Sequence, residues 1–288
     1  MPNGILIVNK PAGWTSQDVA AKLRGIYREK RVGHGGTLDP MATGVLPVFL
    51  GRATRGVEFF EHADKEYVAT LRLGVQTDTQ DTTGTVLQTQ PVSVTEAELR
   101  AVLARFTGEQ QQTPPMYSAV KVGGKRLYEL ARKGETVERQ PRTITIHEIE
   151  LLGGEGADWR LRIRCSKGTY VRTLLHDIGA ALGCGGCMAA LERTKAGAFT
   201  LAQSHSLEEI LAAEDKDALL LPVDTLFARC PKLTVSGTAE KKLRNGAPVA
   251  AAQLACGHYR VYSKEGEFLL LGQVKDDRLT TVKSFFAV

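Results

Sequence analysis

The chain has 288 residues, 43% hydrophobic and 24% charged, a balance that excludes wholesale disorder and provides for one large core or two unequal ones. Its longest apolar runs, such as Val45 to Leu50 and Ala218 to Val223, fall far short of the ~18 residues that span a bilayer. No basic, apolar and small-residue series marks a secretory leader, so a cytoplasmic protein without membrane attachment is expected. The formal net charge of +5, from 37 basic and 32 acidic residues, permits a nucleic-acid partner without demanding one. Five cysteines, an odd number, argue for reduced thiols and against a disulfide framework.

In chain order, the patterning predicts a strand from Gly4 to Asn9 and a Gly/Pro turn. A helix follows from Ser16 to Arg28, with Ser16 as its N-cap and Val19, Leu23 and Ile26 on one face. After a Gly-rich loop, the alternation of Tyr67, Ala69, Leu71 and Leu73 predicts a half-buried strand over Lys65 to Leu73. Residues 77–84 read as a polar turn and Thr85 to Leu87 as strand. Thr95 and Glu98 fit a capping box for a helix from Thr95 to Phe106, stopped by Gly108. Gln110 to Pro115 reads as polar loop. The next stretch sets Lys121, Lys125, Arg126, Arg132 and Lys133 among Tyr117 and Tyr128, a mixture that suits RNA because cations neutralise phosphates and rings stack on bases. Strands are predicted at Thr143 to Leu152 and Trp159 to Cys165, then helices at Thr169 to Leu182 and Ser206 to Ala213. Beyond a composition shift at Cys230-Pro231, a short helix near Thr238 to Arg244 and three strands predict a small, mostly β second domain. The expected division is therefore 1–228 and 229–288, and a cut near Leu226 is expected to leave a folded unit.

The densest local oddity is Gly33-His34-Gly35-Gly36-Thr37-Leu38-Asp39-Pro40. Its glycines free the backbone, while Pro40 biases Asp39 toward an extended conformation, so a carboxylate stands on a short, stiff pedestal behind a flexible loop. The spacing matches neither the dinucleotide nor the P-loop pattern. Cys184 and Cys187 form a CxxC, but His176 and His205 do not supply a second ligand pair at zinc-site spacing. Thiols in a Gly-rich turn, with no metal, are the expectation.

Seven ordered segments resemble one family, the TruB pseudouridine synthases, over about residues 4 to 225. They are Asn9 to Ser16, Gly33 to Pro47, Lys65-Glu66-Tyr67, Leu73-Gly74 with Thr77-Asp78, Pro115 to Lys121, Cys165 to Arg172 and Leu191 to Thr194. The resemblance implies an α/β (α+β) fold with a mainly antiparallel mixed sheet and a small C-terminal β-rich, PUA-like domain. It also implies isomerisation of uridine to pseudouridine at position 55 in the T loop of tRNA, with no cofactor, guide RNA or obligate protein partner.

By the same resemblance Asp39 is the catalytic carboxylate and Arg172 its opposing cation. Tyr67 stacks on the flipped uracil and takes the C5 proton, and His34 enters the vacated stack. Lys10, Pro11 and Tyr170 line the cleft. Residues 117–140, with Lys121, Lys125 and Arg126, close over the T arm. Gly35, where the family often has threonine, is expected to loosen its loop, and Glu192, in place of a common arginine, to weaken one phosphate contact. The tail carries nine Lys or Arg against five Asp or Glu, which favours an RNA-binding accessory surface.

Overall fold

The structure, a computed structural model, describes residues 2–287. In chain order its first 230 residues form β1 (Gly4–Lys10), α1 (Ser16–Tyr27), β2 (Val32–His34), β3 (Thr43–Leu50), α2 (Val57–Phe60), β4 (Lys65–Leu73), β5 (Val75–Thr77), β6 (Val86–Thr89), α3 (Glu96–Arg105), β7 (Gly108–Gln112), β8 (Lys121–Val122), β9 (Lys125–Arg126), α4 (Leu127–Ala131), β10 (Arg142–Glu155), β11 (Asp158–Cys165), α5 (Val171–Ala181), β12 (Gly186–Ala196), β13 (Phe199–Thr200) and α6 (Leu207–Ala212). A nine-stranded sheet runs β1-β3-β12-β4-β11-β10-β7, with β2 on β3 and β13 on β12. Its pairs are antiparallel except β12 with β3, so the mainly antiparallel mixed sheet implied by the resemblance is present.

The alternation in β4 holds: Lys65, Tyr67, Ala69, Leu71 and Leu73 are buried and the residues between them are half-exposed. One face of the sheet packs Leu23 of α1, Leu99 of α3 and Leu175 of α5 into a single core. The opposite face sets Ile5, Ile7, Val45 and Phe49 against Phe60, Phe199 and Phe227, and this second core also takes Leu271 and Phe285 from the tail. Each fully buried Leu, Ile or Phe contributes roughly 1.5–3 kcal/mol, so both faces are needed to hold the strands.

The tail builds its own five-stranded sheet between Lys232 and Ser284, with α7 (Gly237–Arg244) and a core of Leu243, Val261, Leu269, Leu270 and Phe286. The predicted mostly β tail is there. It is fastened to the rest of the chain by Phe285 and Phe268, whose ring centroids lie 5.9 Å and 6.2 Å from that of Phe227, by Arg52 donating to the Phe285 carbonyl (2.8 Å) and by Lys283 paired with Glu58.

Four local expectations change. Thr15, not Ser16, caps α1: the Thr15 hydroxyl accepts from Asp18 N–H and the Asp18 carboxylate accepts from Thr15 N–H. Ser16 instead turns inward, accepting from Leu38 N–H (2.8 Å) and facing the Leu38 carbonyl (3.2 Å). Gln110 to Pro115 is not loop throughout, because residues up to Gln112 form edge strand β7 on β10. The Gly-rich turn ends at Gly185, and from Gly186 a central strand, β12, runs between β3 and β4. Gly35 does not loosen its loop: it is buried, and a Cβ there would lie 2.5 Å from the Phe60 ring, so only a glycine lets β2 close onto α2.

Candidate active site

Asp39 stands in the β2–β3 connection, and the backbone on both sides of it is held. Leu38 is fixed by Ser16; the Pro40 carbonyl accepts from Gly13 N–H (2.8 Å) and from Lys10 Nζ (3.2 Å); the Asp39 carbonyl accepts from Ala42 N–H (3.0 Å). Behind the loop, Gly44 (φ +97°) lies so close to β12 that a Cβ would sit 2.3 Å from the Arg193 carbonyl, which explains the glycine directly after Thr43.

Arg172, in the first turn of α5, reaches Asp39 from 133 residues away in sequence. Its Nε is 2.8 Å from Asp39 Oδ2 and its Nη2 donates to Oδ1 at 3.3 Å. The guanidinium also donates to the carbonyls of Thr79 and Tyr117, both at 2.9 Å. Asp81 Oδ2 lies 3.7 Å from its Nη1. The Arg172 side chain is only 5% exposed, whereas Asp39 keeps 34% of its surface open to solvent. Burial raises the Asp39 pKa above the ordinary carboxylate value, and Asp81 adds to the rise, while Arg172 and Lys10 oppose it. The arrangement therefore offers a partly open carboxylate with a fixed cation behind it.

Tyr67 is buried on β4, level with Arg193 on β12. Burial raises its phenol pKa, and the nearby Arg193 pulls the other way. Arg193 itself is buried, donating to the carbonyls of Val45 (2.7 Å) and Gly36 (3.1 Å). Tyr170 is the N-cap residue of α5. Gln112 grips its backbone by both edges: Tyr170 N–H donates to Gln112 Oε1 (2.8 Å), and Gln112 Nε2 donates to the Tyr170 carbonyl (3.0 Å).

The other residues singled out from the sequence fall into three groups. Lys10 is fully buried, and its ammonium donates to the carbonyls of Pro11 (2.9 Å), Trp14 (2.6 Å) and Pro40 (3.2 Å). It braces the Asp39 loop and presents no surface to a ligand, and burial lowers its pKa to about 8; Pro11 is half-buried beside it. His34 is not an exposed loop residue: it ends β2 opposite Val48, half-buried, with an unpartnered Nδ1 and a pKa lowered first by burial and then by Arg193. Lys121, Lys125 and Arg126 are exposed on a β8–β9 hairpin turned by Gly123 and Gly124. The guanidinium carbons of Arg126 and Arg132 lie 5.8 Å and 5.4 Å from the Tyr128 ring. Cys184 and Cys187 are buried, and no group of three metal-ligating side chains occurs among the described residues.

Asp81, Gln112 and Arg193 were not singled out from the sequence. Arg193 sits inside a quoted segment, and only the adjoining Glu192 drew attention there.

Residues 24–171 match the family described as "TruB family pseudouridylate synthase (N terminal domain)", and residues 172–228 match "tRNA pseudouridylate synthase B C-terminal domain". A tRNA pseudouridine synthase B of Aromatoleum aromaticum is 47% identical over 273 residues, 94% of this chain and 88% of its own. One of Pseudomonas fluorescens is 45% identical over 282 residues, 96% and 92% of the two chains. Among solved structures, a chain of a Cbf5-Nop10-Gar1 complex superposes with a TM-score of 0.75 at 29% identity, covering 99% of this chain and 85% of that one. The two family models together span residues 24–228 and the relatives match over nearly the whole length: the chain belongs to the TruB family of pseudouridylate synthases.

Proposed function

We propose that this enzyme isomerises uridine to pseudouridine at position 55 in the T loop of tRNA, acting without a guide RNA. The observation that carries the chemistry is the Asp39 carboxylate, partly open to solvent and held 2.8 Å from Arg172. The relatives named tRNA pseudouridine synthase B support the substrate. The reaction breaks the N1–C1' bond, turns the uracil and joins C5 to C1'; the proton lost from C5 is balanced by one gained at N1, so no cofactor is consumed. An ionised Asp39 serves either as nucleophile toward C1' or as base toward the sugar, and Arg172 keeps the anion accessible despite burial. Tyr67 offers a flat face to the extruded base. To accept the C5 proton, Tyr67 first passes its phenolic proton to N1 of the detached uracil, and Arg193 supplies the charge that offsets the phenolate so formed. The basic β8–β9 hairpin closes on the T arm, tied to the site through the Tyr117 carbonyl on Arg172. The tail is a second domain, PUA-like in role, that adds cations for the rest of the tRNA.

A second reading, guide-dependent modification, is favoured by the likeness to a chain from an H/ACA RNP bound to a substrate RNA containing 2'-deoxyuridine, with a TM-score of 0.74 at 27% identity, covering 99% of this chain and 86% of that one. The two separate in one assay. Purified protein incubated with an unmodified T-arm hairpin and no other RNA should place pseudouridine at the T-loop uridine. Asp39→Asn should bind the hairpin within about tenfold of wild type yet form no product, since the amide keeps the shape and loses the anion. Product that appears only on adding guide RNA would establish the second reading instead.

A further inference from the structure

A concavity of about 620 Å³ lies outside the Asp39 site, walled by Arg142 and Thr143 at the start of β10, by Ser166 and Lys167 after β11, and by Glu61 and His62 after α2. No aliphatic side chain such as Leu, Ile or Val lines it. The Arg142 guanidinium carbon is 4.8 Å from the Tyr170 ring centroid, and Arg142 Nε is buried with no hydrogen-bond partner. Lys167 Nζ rests 2.6 Å from His62 Nδ1, which places the ammonium on a ring nitrogen and not on a carboxylate. The Thr143 hydroxyl accepts from Gln111 (2.9 Å), which leaves its own hydrogen for a ligand.

The charge continues inward. Lys65 is buried with Nζ on the Glu61 carbonyl (3.3 Å), and its Cε lies 3.9 Å from where a Cβ of Gly36 would stand. Arg193 holds the Gly36 carbonyl itself. Among the described residues, none of Arg142, Lys167, Lys65 and Arg193 forms a salt bridge to a carboxylate, and Glu61, the acid on the wall, is exposed. Four cations without anionic partners thus run from the concavity to the loop that carries Asp39. Such a stripe repels itself unless an anion occupies it.

We propose that the concavity is a phosphate site: it seats one backbone phosphate of the RNA strand whose uridine enters the Asp39 site, with Lys167 and Arg142 as its cations and Thr143 as a hydroxyl donor. The proposal rests on the RNA-substrate reading above and deepens it by naming where the strand is anchored. Arg142 ties the anchor to the catalytic pair, because the ring it covers belongs to the N-cap residue of the helix bearing Arg172.

The test measures binding in the Asp39→Asn protein, so that turnover does not intervene, using T-arm hairpins in which one phosphate at a time is a neutral methylphosphonate. One position should lose about tenfold in affinity when neutralised, as expected for a charge-assisted contact. Lys167→Met, a change at an exposed residue, should cost a similar factor and lower the log–log salt slope by roughly 0.7 to 0.9. It should also make that one position indifferent to neutralisation, since a contact cannot be lost twice. Additive losses at every position, or an unchanged salt slope, would overturn the proposal. So would competition by millimolar inorganic phosphate that depends on Lys167 without coupling to any hairpin phosphate, which assigns the concavity to the free ion. Failure of the wild-type enzyme to form pseudouridine in the hairpin would strike the proposed function, and is read separately from these couplings.

Discussion

Arg172 answers two carboxylates, Asp39 at 2.8 Å and Asp81 at 3.7 Å, while almost fully buried. Removing one side of a buried pair costs roughly 3–5 kcal/mol because the orphaned charge remains, so Arg172→Met should lose both activity and stability. The pH dependence has a definite sign. Burial has already raised the Asp39 pKa, the reaction needs the ionised form, and activity therefore falls as pH drops through that raised value. Without Arg172 the value rises further, so the acid limb of the kcat–pH profile should move to higher pH, and the melting deficit of the variant should narrow in acid as Asp39 takes up its proton. A limb that stays in place would remove Arg172 from the pair. Lys10 gives the opposite linkage. Its pKa near 8 in the folded protein lies below the ~10.4 of a free lysine, so from about pH 8 to 10.4 the unfolded chain holds the proton that the folded chain has released, and stability rises with pH. Melting curves of wild type and Lys10→Met should therefore shift in favour of wild type across that window. Asp39 was legible because Gly and Pro punctuate its loop, and Arg172 because it lies in a family segment. Asp81 was not: a turn acid hydrogen-bonded to Thr79 and Thr83 looks like any polar turn until the fold brings Arg172 to it.

At the scale of elements, β7 does more than extend the sheet edge. Gln112, its last residue, grips the Tyr170 backbone with two hydrogen bonds and so sets the entry of α5, the helix that aims Arg172. Gln112→Leu would leave Tyr170 N–H unmatched, at a cost of about 1–3 kcal/mol, while the Tyr170 carbonyl would keep only Leu174 N–H. Its kcat should fall at least about tenfold, one such factor per 1.4 kcal/mol, with a smaller change in KM. An effect on KM alone would show that the clamp does not reach the catalytic pair. The clamp was invisible in the sequence because glutamines in a polar run read as loop, and the two termini it joins are 58 residues apart. The central strand β12 was hidden for a related reason. Its sequence, Gly186 to Ala196, holds three Ala with one each of Gly, Glu and Lys and no Val, Ile, Tyr, Phe or Trp, a composition of little β propensity. It also slips register against β4 at two places, so no simple alternation survives. By contrast β4, whose alternation is unbroken, was read to the residue, as was the capping box at Thr95.

The whole molecule is less divisible than its composition suggests. The shift at Cys230-Pro231 is real, yet Leu271 and Phe285 of the tail complete the second core against Phe227 and Phe49. A cut near Leu226, expected from the sequence to leave a folded unit, removes three core residues, Phe227, Leu271 and Phe285, worth roughly 1.5–3 kcal/mol each, and the Arg52 contact to Phe285, out of a total stability of ~5–15 kcal/mol. The truncated chain should melt well below the intact one or aggregate. Phe285→Ala in the full chain should reproduce part of that loss, by roughly 3–5 kcal/mol, and an unaltered melting temperature in both would show the tail to be independent. The same core joins Ile5 and Ile7 to Phe285, made about 280 residues later. On a ribosome adding about 5–20 residues per second, one face of β1 waits tens of seconds for its covering. The nascent enzyme thus carries an apolar face that stays open until the tail strands have been made, and a product aborted before them announces itself to chaperones and proteases by what it lacks. Pulse proteolysis of stalled nascent chains should show β1 becoming resistant only once residue 285 has cleared the exit tunnel, whereas early resistance would mean that the tail merely lies on a surface already sealed.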